Sequence, residues 1–270
     1  MIIFNEVILL YFSIQENLLP GDNLEKKFDN ARKLGFDAVE IWGHNIEKRV
    51  NEVKSVKDSI GIKISTICSG YPGDLLSLDR SAREQAIKGI KIRLSMAAEL
   101  DAVGVIVVPT FGGPKLPDLY PLFRDIRDLE RKLLIEELKI LGRHADNVGA
   151  YILIEPLNRY ETHFVNRLEQ AASICDEVGF EHVKIMGDFF HMNIEEANIS
   201  ESLRKYAEYI KHIHLADSNR LPPGYGHIDF KSAFEVLKEV GYRYYLALEC
   251  AVPEPKFEVL KKTLSFLRSL

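Results

Sequence analysis

A chain of 270 residues with 46% hydrophobic and 28% charged residues can bury a large core, and its length suits one α/β barrel. Its 35 Lys and Arg against 40 Asp and Glu give a formal net charge of -5, which argues against a protein that grips a nucleic-acid backbone. Three scattered cysteines, Cys68, Cys175 and Cys250, exclude a disulfide framework or a zinc knuckle and fit a reducing compartment.

The N-terminal run Met1–Phe12 is apolar but interrupted by Asn5 and Glu6. It lacks a basic leader and a small-residue cleavage site, so a buried first strand over Ile2–Leu10 is expected rather than a signal peptide. From there, short β-branched runs alternate with longer amphipathic runs, the rhythm of repeated βα units. A helix over Leu24–Leu34 leads to a strand over Ala38–Ile41, with Trp42 and His44 just beyond it as pocket candidates. A helix over Glu47–Ile60 precedes a strand over Lys63–Cys68, and Ser81 with Glu84 suggests a capping box opening a long helix to Leu100. The next strand is expected over Val103–Val108 and the next helix over Asp128–Asn147. Three further units follow: strand Tyr151–Glu155 with helix Arg167–Val178, strand Val183–Asp188 with helix Glu201–Glu208, and strand Ile210–His214 with helix Phe230–Val240. Strand Tyr244–Glu249 and helix Lys256–Leu270 close the chain. Gly35, Gly61, Gly149, Gly179 and Gly241 stand where left-handed helix caps would fall, and Asp229 is placed as an N-cap.

Eight strands alternating with eight helices, and no linker between them, predict a single (β/α)₈ barrel domain over residues 1–270. A dinucleotide fold is disfavoured because no G-x-G-x-x-G turn follows the first strand. No apolar stretch approaches the roughly 20 residues that span a bilayer, so a cytoplasmic protein with no membrane partner is expected.

Catalytic groups in such barrels come from the C-terminal ends of the strands. Here Glu155 ends Y-I-L-I-E, Asp188 ends V-K-I-M-G-D, His214 ends I-K-H-I-H and Glu249 ends Y-L-A-L-E. Each is separated from the next by about one βα unit, so a closed barrel brings all four to one rim on adjacent strands. Three converging carboxylates repel one another without a cation, and three oxygens with one imidazole nitrogen suit Mn²⁺, Mg²⁺ or Co²⁺. The loops after these strands carry Arg159 and Glu161, His191, and Arg220. By the period of two, His212 shares the face of His214 and is expected below the cation as a hydrogen-bonded core histidine, while Cys250 points the other way.

The segments I-E-P-L-N-R-Y-E-T, D-F-F-H-M-N-I-E-E, H-I-H-L-A-D-S-N-R, G-H-I-D-F and the terminal L-E-C resemble the ketose 3-epimerases of the xylose-isomerase-like barrels, the group containing D-tagatose and D-psicose 3-epimerases. Members acting on 5-keto-gluconate-type keto acids look most similar. The resemblance runs strongly from Ile152 to Cys250; before that only L-G-F-D-A-V-E-I and the strand–helix rhythm agree. It implies metal ligands at Glu155, Asp188, His214 and Glu249, proton-transfer carboxylates at Glu155 and Glu249, and substrate contacts at Glu161, His191 and Arg220. One departure is Phe189, where the family usually has Thr, and the bulkier ring is expected to alter the pocket. The implied reaction inverts C3 of a free ketose or keto sugar acid through an enediolate, with Mn²⁺ as the expected cofactor (Mg²⁺ or Co²⁺ as alternatives) and a small sugar as the partner, in carbohydrate metabolism. A homo-oligomer is compatible with such barrels.

Three rivals follow from the same residues. An aldose–ketose isomerase of the hydroxypyruvate or xylose type would use the same metal to move a proton between C1 and C2. An endonuclease IV type of repair enzyme shares the barrel and a D-x-x-H pattern, but needs extra histidines where this chain has C-S-G and V-P-T. A binding barrel without catalysis would not need both glutamates.

Overall fold

The computed structural model describes residues 9–270. Eight parallel strands close into a barrel in chain order. They are β1 (Tyr11–Gln15), β2 (Ala38–Trp42), β3 (Lys63–Cys68), β4 (Gly104–Val107), β5 (Tyr151–Ile154), β6 (Val183–Asp188), β7 (Ile210–Leu215) and β8 (Tyr245–Leu248). The barrel closes where β1 runs beside β8, from Tyr11 opposite Tyr245 to Ile14 opposite Leu248. Most of the strand expected over Ile2–Leu10 lies outside the described residues; β1 begins later, at Tyr11.

Among the described residues the helices are α1 (Leu24–Leu34), α2 (Ile46–Ile60), α3 (Arg80–Glu99), α4 (Ile126–Val148), α5 (Leu168–Val178), α6 (Phe189–Glu195), α7 (Ile199–Lys205), α8 (Phe230–Glu239) and α9 (Lys256–Ser269). The outer helices bury one stripe each: α1 turns Leu24, Phe28 and Ala31 inward at the helical period. The five anticipated glycines all have left-handed φ, between 71° and 96°. They have no Cβ to clash there, which lets the chain leave a helix and turn toward the next strand.

Several helix starts differ from expectation by one or two residues, two of them through an aspartate cap. The cap of α3 is Asp79 rather than Ser81, because the Asp79 carboxylate accepts from both the Ser81 backbone N–H (2.9 Å) and its hydroxyl (2.7 Å). In α4, Asp125 accepts from the Asp128 N–H at 3.1 Å, which starts the helix before Asp128. Asp229 caps α8 as anticipated, accepting from the Ser232 N–H at 3.1 Å.

The barrel interior has two halves. Cys68, Ile106, Leu153 and Met186, from β3 to β6, form an apolar plug with Trp42 and Tyr151 packed against it. The other half is polar: Ser13, Gln15, Glu40, Ser65, Thr66, His212 and His214 are all buried. Irregular pairing accompanies the polar half. β3 carries an extra residue opposite Glu40, between the pairs Val39–Ile64 and Ile41–Ile67. This bulge breaks the strict alternation of sides, and both Ser65 and Thr66 make hydrogen bonds in the polar half. A second shift lies between Ile185 and Met186 on β6, where Lys211 is the unmatched residue of β7 just before His212.

Candidate active site

Each of the four sequence-predicted ligands sits at the C-terminal end of its strand. Asp188 is the last residue of β6 and pairs with His214 on β7, while Glu155 and Glu249 directly follow β5 and β8. Their backbones continue the ladder: Glu155 N–H donates to Val107 O (3.0 Å) and Glu249 N–H to Leu215 O (3.1 Å). A rigid parallel sheet therefore sets the positions of all four. One donor atom from each of Glu155, Asp188, His214 and Glu249 lies within 4.8 Å of the others.

His214 is held by its far nitrogen. Nε2 lies 3.0 and 3.1 Å from the two oxygens of Glu40. Nδ1 faces the rim, 3.1 Å from Glu249, 3.6 Å from Glu155 and 3.7 Å from Asp188, yet it makes no hydrogen bond. A buried imidazole nitrogen surrounded by three carboxylates and left without a partner is what a divalent cation would satisfy. The donor set fits Mn²⁺, Mg²⁺ or Co²⁺, with a hard-oxygen majority and one imidazole.

Asp188 works at both of its oxygens. Oδ1 accepts from the Phe190 N–H (2.7 Å) and the His191 N–H (3.2 Å), capping α6, a helix not anticipated from the sequence. Oδ2 faces the rim and accepts from Arg220 at 2.6 Å. The helix start also decides where Phe189 goes. It is fully buried in the main core and stacks on Phe230 with centroids 5.6 Å apart. The expectation that its ring alters the pocket is therefore corrected: the cap at Asp188 turns Phe189 toward α8.

Arg220 spans the site, donating to both Asp188 and Glu249, with its guanidinium 4.9 Å from the centroid of the Phe190 ring. Its φ of 61° is unusual for a non-glycine residue. Asp217, which sequence reasoning passed over, organises the loop that holds it there. Its carboxylate accepts from the backbone N–H groups of Ser218, Gly224 and Ile228 at 2.8 to 3.1 Å. Burial would raise the Asp217 carboxyl, but these backbone donors keep it below its ordinary range.

His191 Nδ1 accepts from the Asn158 backbone N–H at 3.2 Å, so the ring hydrogen sits on Nε2, 4.0 Å from Asp188. The Asn158 side-chain amide also donates to Glu161 at 2.9 Å and to His191 Nδ1 at 2.8 Å, so one side chain positions two of the three expected substrate contacts. Arg159 is turned away, in a bidentate pair with Glu195 at 2.9 Å. His212 is a hydrogen-bonded core histidine as expected, 2.8 Å from Glu40, and Cys250 packs in the outer core. Trp42 lies against the apolar plug.

The carboxylates are not electrostatically equal. Burial pushes Glu155 above the usual carboxylate range, against the pull of His214 beside it. Burial would also raise Asp188, but the Arg220 guanidinium and His191 hold it well below. For His214, burial favours the neutral ring, yet the charges of Glu249 and Glu40 outweigh it and hold its pKa well above the usual value. The cluster as a whole attracts positive charge.

Besides Asp217, sequence reasoning missed Glu40 and Gln15, which lie beneath the candidate site. The available signal was a lone carboxylate inside the apolar strand A-V-E-I-W, on the same face as Ala38 and Trp42.

The chain matches the family described as "Xylose isomerase-like TIM barrel" over residues 28–270. It belongs to that family. Among its relatives, it is 32% identical over 251 residues to the 3-dehydro-D-guloside 4-epimerase of Escherichia coli, covering 92% of this chain and 95% of the relative. It is 29% identical over 238 residues to the D-psicose 3-epimerase of Enterocloster bolteae, covering 83% and 76% respectively. The solved apo structure of a 3-keto-D-glucoside 4-epimerase from E. coli superposes with a TM-score of 0.89 at 30% identity, covering 97% of this chain and all of that one. A D-psicose 3-epimerase from Clostridium cellulolyticum H10, solved with D-tagatose, superposes with a TM-score of 0.83 at 22% identity and shows the shared fold. Within the family, this protein is an isomerase-class enzyme of the sugar-epimerase kind.

Proposed function

We propose that this protein is a divalent-metal-dependent epimerase that inverts a carbinol carbon next to the ketone of a small sugar, with C3 of a free ketose or keto sugar acid as the first candidate. The observation that carries the reading is the convergence of Glu155, Asp188, Glu249 and the unpartnered Nδ1 of His214 at one point of the rim. These four side chains would hold the cation, Mn²⁺ by preference, with Mg²⁺ or Co²⁺ as substitutes.

A bound divalent cation supplies Lewis acidity, polarising the ketone and acidifying the neighbouring C–H. The chain's own groups do the rest. Glu155 and Glu249 follow β5 and β8, with β6 and β7 between them, so they flank the substrate position. One removes the proton from one face of the carbinol carbon and the other delivers a proton to the opposite face. Arg220 and the Nε2–H of His191 are donors aimed at the oxygen that gains negative charge in the enediolate. Glu161, oriented by Asn158, contacts a substrate hydroxyl.

A second reading moves the same chemistry one carbon along, to C4 beside a C3 ketone of a glycoside. It is favoured by the 32% identity to the 3-dehydro-D-guloside 4-epimerase. An aldose–ketose isomerase would instead exchange hydrogen at a terminal carbon. The experiment is incubation of the enzyme with Mn²⁺ and a panel of ketoses and 3-keto-glycosides in D₂O, with deuterium located by NMR. Label at C3 of a ketose together with its epimer supports the first reading; label at C4 of a keto-glycoside supports the second. Label at C1 of a ketose identifies an isomerase, and no label in any sugar refutes epimerisation.

A further inference from the structure

Glu40 is a carboxylate in the middle of β2, with no exposure to solvent. Burying a carboxylate is costly unless it is well partnered. Glu40 is well partnered. Oε2 accepts from Thr66 Oγ1 at 2.5 Å and lies 2.8 Å from His212 Nε2. Oε1 accepts from Gln15 Nε2 at 2.9 Å, and His214 Nε2 approaches both oxygens at 3.0 and 3.1 Å.

The cluster of Glu40, His212 and His214 is not a second cation site. Both rings turn Nε2 to the carboxylate at hydrogen-bonding distance, so the nitrogens a metal would need already face a hydrogen-bond partner. Its consequence lies on the other side of His214. With the Nε2 hydrogen bound to Glu40, the ring is fixed in orientation, and in its neutral form Nδ1 carries the lone pair toward Glu155, Asp188 and Glu249. The link extends further. The Gln15 amide that donates to Glu40 also donates to Glu249 Oε1 at 2.8 Å, and one carboxylate thus connects two of the four rim donors.

We propose that Glu40 is the positioning residue of the metal centre, fixing the tautomer and orientation of His214 directly and aiming Glu249 through Gln15. The inference rests on the reading that Glu155, Asp188, His214 and Glu249 hold a divalent cation. It explains why β3 bulges opposite Glu40: the bulge coincides with the Thr66 hydroxyl that completes the carboxylate's partners.

The test is calorimetric titration of the purified full chain with Mn²⁺ alone, with no sugar present. Glu40→Gln keeps the shape but exchanges two acceptor oxygens for one acceptor and one donor, and the expected result is Mn²⁺ affinity lower by about 10- to 100-fold. Gln15→Met keeps the volume, severs the link to Glu249 and is expected to weaken Mn²⁺ severalfold. Met186→Leu perturbs the apolar half of the same barrel interior and is expected to leave the affinity unchanged. Cooperative melting of each variant verifies folding, and should Glu40→Gln fail to fold, Gln15→Met carries the decision. Wild-type affinity in the folded variants overturns the proposal, as does an equal loss in Met186→Leu. A wild-type protein that binds no Mn²⁺ defeats the metal reading itself, an outcome separate from the other two.

Discussion

Replacing Glu137 by Gln should stabilise this protein in alkali and not in acid. Glu137 lies on α4 facing α3, its side chain almost wholly buried, with Oε1 3.3 Å from Arg83 Nε and Oε2 without a hydrogen-bond partner. Burial pushes its carboxyl up to about 8 despite the nearby Arg83 charge. A folded-state pKa above the unfolded value stabilises the fold at low pH, where the group is protonated in both states, and that stability is lost as pH rises through the folded value. From an ordinary value of 4.5 to about 8, at about 1.4 kcal/mol per unit, the ceiling is about 5 kcal/mol. Relaxation of α3 and water entry reduce this, and about 2 kcal/mol is expected between pH 5 and pH 8. Arg83 keeps its own bonds to the carbonyls of Ser77 and Leu78, so Gln at 137 does not orphan it. The assay is thermal melting of wild type and Glu137→Gln at both pH values. The variant should gain several degrees over wild type at pH 8 relative to pH 5. A difference between the two proteins that does not change with pH refutes the reasoning.

Arg220→Met should lower kcat/KM by about 10²-fold or more, since it removes a donor beside Asp188 and Glu249; steady-state kinetics at saturating Mn²⁺ decide this, and unchanged kinetics contradict it. Asn158→Ala frees Glu161 and removes the side-chain donor to His191, leaving His191 only the bond from the backbone N–H of residue 158, so KM for the sugar should rise while Mn²⁺ affinity stays near wild type. Gly226→Ala places a Cβ about 2.2 Å from Asp217 Oδ1, so the loop carrying Arg220 should lose its order; faster amide hydrogen exchange over residues 217–228 is the measurement, and unchanged exchange contradicts it.

Much of the barrel was legible because its code is local. Apolar β-branched runs preceded by a glycine cap mark where five of the strands begin, and a single ionisable residue at the end of the run marks where the last four strands end. Glu155, Asp188, His214 and Glu249 stood out for that reason, and parallel pairing placed them on one rim. The start of β1 was not legible because the apolar sequence runs on from Val7 to Phe12 and the strand is defined by pairing with β8 near the far end of the chain; most of the expected range Ile2–Leu10 lies outside the described residues. Phe189 was misjudged because its direction depends on the cap that Asp188 makes, a contact that adjacency in sequence does not reveal. Glu40 and Gln15 escaped notice because their roles depend on partners from β3 and β7 and on a bulge, and bulges leave no periodic signature. Asp217 looked like an ordinary loop aspartate; its importance is that three backbone N–H groups turn back to it.

The central claim is that four strand-end side chains gather one divalent cation. The most direct measurement is an anomalous difference map from crystals soaked in Mn²⁺. A single strong peak ligated by Glu155, Asp188, His214 Nδ1 and Glu249 is the predicted result. No peak at that position, or a peak seated instead between Glu40, His212 and His214, would contradict it.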